Sequence, residues 1–169
     1  ARGAKPLFVV LNTPHWANGS ADQLAPPNDP QTFATFLKAF AAHNKGIGGD
    51  VAGYEVWNEP DESMFWHPGP DAGRYAALLK AAYAGIKAGN KAAQVAIGET
   101  SNLGRDKPIG ISGQGQSVAP GTFARLLAQQ KGLKFTAWAT HPYPTRPNMK
   151  PLQKVRYPNV AFSTMKQFE

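Results

Sequence analysis

No cysteine occurs among the 169 residues. No disulfide therefore holds the chain together, and the absence suits a secreted protein without disulfides as well as a cytoplasmic one. Acidic residues are scarce: eleven Asp and Glu face eighteen Lys and Arg, leaving a formal net charge of +7. The basic residues are scattered rather than massed in runs, so the expectation is a solvated basic surface and no nucleic-acid partner. No stretch of eighteen apolar residues and no signal-peptide pattern occurs, and no membrane partner is expected. His15, His43, His67 and His141 lack the spacing, with one another or with acids, that a zinc site needs. The glycines of segment 104–115 lack the strand-turn-helix context of a phosphate or dinucleotide loop, and no serine sits in a strand-to-helix elbow. No metal or cofactor is expected.

What is present is an alternation of short apolar runs with longer helical patterns, which argues for an α/β fold of parallel strands joined by helices. Strands are predicted over residues 7–11, 51–57, 94–98 and 135–140, and helices over 30–44, 71–88 and 121–130. Another helical pattern starts at Tyr157 and runs through Phe162, Met165 and Phe168. Asp29 and Pro30 supply an N-cap and a first-turn proline, and Phe33, Phe36, Leu37 and Phe40 form one apolar stripe assigned to the core. Trp57 and Trp138 are likewise assigned inward. The Gly-rich segment 101–117 follows a strand's C-terminal end, where long loops are often lids or binding loops and flexible filler is the alternative.

The decisive stretch is Tyr54, Glu55, Val56, Trp57, Asn58, Glu59, Pro60. It is a strand stopped by proline, which removes a ladder donor and leaves Glu59 at the strand's C-terminal end. Alternation would send Asn58 and Glu59 to opposite faces, so an irregularity is expected where both serve one pocket. The Asn-Glu-Pro strand end resembles the fourth strand of the clan A glycoside hydrolases, a superfamily of (β/α)8 barrels that includes cellulase-like and xylosidase-like families. The segment from Asn12 to Trp16 resembles the end of the third strand, and His141, Pro142 and Tyr143 that of the sixth.

The resemblance implies a partial (β/α)8 TIM barrel of about four βα units, the third to sixth, forming a single domain over residues 1–169 that is truncated at both ends. A complete barrel takes about 250 residues. It also implies a secreted, retaining glycosidase acting on a carbohydrate substrate, with Glu59 as acid/base and Asn58 on the sugar's 2-hydroxyl. The nucleophile, a glutamate at the seventh strand's end, would then lie beyond Glu169. Glu99, also at a strand end, is read as a cleft residue or a charge that tunes Glu59 rather than as that nucleophile. Asp61 and Glu62 are read as loop-capping or solvated.

His141 is a candidate to hold a hydroxyl, with a satisfied core histidine as the alternative, and Tyr143 a candidate to orient the second carboxylate. Asn12 and His15 come from another strand end. Trp16, Trp66 and Phe65 are candidate stacking platforms for sugar rings, against ordinary hydrophobic packing. A noncatalytic carbohydrate-binding module and an inactive fragment remain the rival readings, and an open sheet edge would favour self-association.

Overall fold

The structure is a computed structural model that describes residues 3–105, 116–144 and 146–167. Four strands form one parallel sheet in sequence order: β1 (Leu7–Val10), β2 (Gly53–Asn58), β3 (Val95–Thr100) and β4 (Ala137–Thr140). Sequential order in a parallel sheet needs a crossover between each pair. The helices α2 (Pro30–Gly46), α3 (Ala72–Gly89) and α4 (Pro120–Ala128) supply them. The parallel βα architecture is as the hydrophobic alternation predicts. β3 runs to Thr100, so Glu99 is its penultimate residue rather than the residue after it.

Helix starts follow from local chemistry. Asp29 and Asp71 accept hydrogen bonds from Gln31 N and Arg74 N, satisfying amides that a helix leaves unpaired, and Pro30 and Pro120 occupy first-turn positions. α2 and α3 lie against each other so closely that a Cβ on Gly85 or Gly89 would sit 2.3 Å from Ala34 O or 2.2 Å from Lys38 O. Two elements differ from expectation. A one-turn helix, α1 (His15–Asn18), follows β1, and the segment after Tyr157 forms only a 3-10 helix, Phe162–Gln167, with Phe168 outside the described residues.

The core lies between sheet and helices. Phe33, Leu37, Val56, Trp57, Leu79, Ile97 and Phe123 are buried there, while Trp138 packs against it partly exposed. Phe36 departs from the expected stripe: it is 54% exposed, its ring stacked 5.8 Å from that of Phe40. Among the described residues no helix is long and apolar enough to cross a membrane.

One buried hydroxyl ties this core to the sheet. Tyr75 on α3 donates to Val56 O of β2 at 2.8 Å and accepts from Gly98 N of β3 at 2.7 Å. Tyr75→Phe leaves the Gly98 amide without that acceptor, so a loss of about 1–3 kcal/mol is expected, read as a lower urea midpoint with an unchanged slope.

Candidate active site

Parallel pairing brings three strand ends to one rim. Asn58 pairs with Glu99 and Thr100 with Thr140, and His141 N then donates to Thr100 O. The expected irregularity is present: Trp57 and Glu59 have φ of 71° and 38°, left-handed values that cost a non-glycine residue on the order of 1–3 kcal/mol each. A register shift also falls between Ile97 and Thr100 on β3. These departures break strict alternation where the strands leave the sheet.

Glu59, Glu99 and His141 converge as a result. Glu59 Oε1 is 2.8 Å from His141 Nδ1, and Glu99 Oε1 is 3.6 Å from His141 Nε2. Both carboxyl side chains are only 13–14% exposed. The Tyr143 ring lies 5.1 Å from the imidazole and is itself 57% exposed. The two ring nitrogens of His141, a candidate to hold a sugar hydroxyl or else a satisfied histidine, face two carboxyls. Asn58 is half-buried beside them.

Glu55 was missed as a site residue. It lies in the middle of β2, 1% exposed, and neither of its carboxylate oxygens has a hydrogen-bond partner among the described residues; the same holds for Glu99 Oε2. Burial, reinforced by the charge of Glu99, pushes the Glu55 carboxyl well above the ordinary range. The signal was available: a lone acid inside a run that otherwise reads as a buried strand.

Of its two expected roles Asp61 takes loop capping and not solvation: fully buried, it accepts from Ser101 N (3.0 and 3.1 Å) and from Ser101 Oγ (2.8 Å). With Val118 N donating to Asp61 O and Ser63 N to Gln116 O, this residue clamps the loop after Glu59 to the loop after β3. Burial raises its carboxyl to about 8. Glu62 is half-buried, and burial together with the charge of Glu59 raises it to about 7. Most of the glycine-rich loop itself, 106–115, lies outside the described residues.

The aromatic candidates separate. Trp66 is 0% exposed, its ring centroid 5.2 Å from that of Trp57 and 5.6 Å from that of Tyr75. It is a core residue and has no face for a sugar. Phe65 is half-buried, its carbonyl accepting from Trp57 Nε1 at 2.7 Å. Trp16 is 75% exposed on α1, beside a groove of about 220 Å³ lined by Leu11, Asn12, Phe33 and Phe36. Asn12, two residues past β1, has φ 72°, and both it and His15 are exposed. Among the described residues no three His, Asp or Glu are grouped to hold a metal ion.

No family model and no curated protein matches the sequence. Solved structures do match. A monomeric β-xylosidase from Caulobacter crescentus CB15 superposes with a TM-score of 0.61 at 23% identity over 83% of this chain. A GH39 enzyme from Xanthomonas axonopodis pv. citri superposes with a TM-score of 0.50 at 23% identity over 72%. The fold is part of a (β/α)8 barrel. The chain spans 27% and 21% of those two proteins.

Two outcomes test the geometry of this partial barrel. Asp61 has a folded pKa above its ordinary value of 3.8, so between there and about 8 the folded chain holds a proton that the unfolded chain has released. Stability then falls as pH rises through that window, by at most about 1.4 kcal/mol per pH unit for one group. Urea unfolding between pH 5 and 8 is expected to show this decline, and Asp61→Asn to flatten it. Trp66→Ala should lose about 3–5 kcal/mol as a core truncation, whereas Trp16→Ala, on an exposed turn, should leave the thermal midpoint nearly unchanged.

Proposed function

We propose that this chain carries the acid/base half of a retaining glycoside hydrolase that cleaves β-glycosidic bonds. The observation that favours this reading is the convergence of Glu59, His141 and Glu99 at the C-terminal rim of the parallel strands, where α/β barrels hold their chemistry. Glycoside hydrolysis of this type needs a carboxyl to protonate the departing oxygen and a second to attack the anomeric carbon, about 5–5.5 Å away. Glu59 takes the first role and later removes a proton from the attacking water. Asn58 holds the 2-hydroxyl, and exposed Trp16 and Tyr143 offer ring faces to sugar.

Glu99 is a poor nucleophile. One of its oxygens faces the imidazole and the other is buried. The second carboxylate is therefore assigned to a strand end outside these four βα units. One structural neighbour is a β-xylosidase, which makes β-xylosides the first substrates to try.

In the whole protein that carries this chain, Glu59→Gln is expected to lower kcat/KM for an alkyl β-glycoside by about 10²- to 10⁴-fold. An aryl glycoside with a good leaving group needs no proton, so its first step should survive. Azide, which replaces activated water, should restore turnover. Unchanged hydrolysis of the alkyl glycoside by Glu59→Gln overturns the assignment. Activity of the 169-residue chain alone that disappears in both Glu59→Gln and Glu99→Gln would instead put the working pair inside it.

A further inference from the structure

We propose that Glu55 is a positioning residue of this site: it shares one proton with Glu99 across the β2–β3 pair, so that the two carboxyls present a single negative charge to His141, the imidazole that holds Glu59. The inference rests on the reading of Glu59 as the acid, and it concerns a residue with no route to substrate.

The argument starts from unsatisfied atoms. Glu55 Oε1, Glu55 Oε2 and Glu99 Oε2 are all buried without a well-formed hydrogen bond among the described residues; the Glu99 backbone amide is near enough to favour the charged form of Glu55 a little, and the Glu99 side chain is near enough to oppose it. Glu99 is the charged group acting on Glu55. Ionised carboxylates are acceptors only, so two that face each other in a buried place satisfy neither; one proton between them supplies the missing donor and removes the repulsion. The proton then sits as an O–H of one carboxyl donating to the other.

Apart from His141 and the Glu99 backbone amide, the described surroundings supply no competing donor or cation. β1 places Val9 in register with Glu55. α3 presents Tyr75, whose hydroxyl donates to Val56 O and is kept protonated by its burial. Asp61 and Glu59 are acids, and His141 is engaged at Nδ1 by Glu59. Among the described residues no lysine or arginine forms an ion pair with Glu55 or Glu99, although the chain carries eighteen of them.

The consequence reaches Glu59 through one ring. A doubly ionised pair beside Nε2 would favour the imidazolium form, and an imidazolium 2.8 Å from Glu59 Oε1 would favour the carboxylate of a residue whose task begins with giving away a proton. A singly charged pair weakens that bias while still orienting the ring.

The test is a carbon-13 titration of the glutamate side-chain carboxyls in the folded protein, with nitrogen-15 shifts of His141 followed in parallel. The expected result is two inflections shared by the Glu55 and Glu99 carbons, one in the ordinary acid range and one displaced above it. His141 should respond to the upper one. In Glu55→Gln, whose neutral amide stands in for the protonated acid, the upper inflection should vanish from both Glu99 and His141 while the fold is kept.

Single, independent inflections in the acid range for Glu55 and Glu99 of the parent overturn the proposal, as they would if a cation neutralised the pair; this readout needs no variant. Persistence of the upper His141 inflection in folded Glu55→Gln overturns it as well. No turnover is required, so failure of the hydrolysis test sinks the assignment of Glu59, and failure of the titration sinks the proton-sharing pair.

Discussion

The Tyr75 hydroxyl, held between Val56 O and Gly98 N, is the contact on which the rest of the site depends. It lies where β2 and β3 cease to be regular: Trp57 turns left-handed one residue after Val56, and the register slips between Ile97 and Thr100. Irregular backbone in a buried sheet leaves amides and carbonyls that the ladder no longer serves, and these need another partner. A phenol reaching in from α3 serves one of each. The chain can therefore bend Asn58 and Glu59 toward one rim without orphaning the groups behind them.

Helix and sheet packing put that phenol in place. Tyr75 is edge-on to Trp66, Trp66 to Trp57, and Phe123 of α4 closes the cluster against Tyr75. Aromatic rings in such arrangements bury large areas with little freedom to reorient. Trp57 is thus both the residue whose backbone turns and a member of the cluster that holds the turn. Its indole N–H also anchors the carbonyl of Phe65 in the loop that follows Glu59.

The electrostatics oppose the composition. A chain with an excess of seven positive charges gathers Glu55, Glu59, Asp61, Glu62 and Glu99 around a rim where the ring of His141 is the only basic partner in an ion pair among the described residues. Ionised acids crowded in a buried place repel one another and lose hydration, so protons are retained. Asp61 and Glu62, raised to about 8 and 7, belong to this effect.

Hydrophobic periodicity and capping residues made most of the fold legible. Asp29, Pro30, Asp71 and the stripes of α2 and α3 act within a few residues of chain, and local physics decides them. The Asn-Glu-Pro strand end, too, marked where β2 stops, with Glu59 next after Asn58. Other assignments rest on distances that no spacing encodes. Trp66 and Trp16 are the same residue type in similar loop contexts, yet one is enclosed by Trp57 and Tyr75 and the other stands on an exposed turn. Asp61 reads in the sequence as either loop-capping or solvated, and only the fold, by bringing Ser101 from forty positions away, decides between them. Glu55 was an acid in a strand, and only the approach of β3 set Glu99 against it.

What the sequence determined by itself is the succession of strands and helices and the place of Glu59 just past the end of β2, because both follow from neighbours along the chain. The tertiary structure alone decided which aromatic rings face solvent, which acids are buried and which carboxyls share His141, because each depends on how separate elements pack and on how much water that packing excludes.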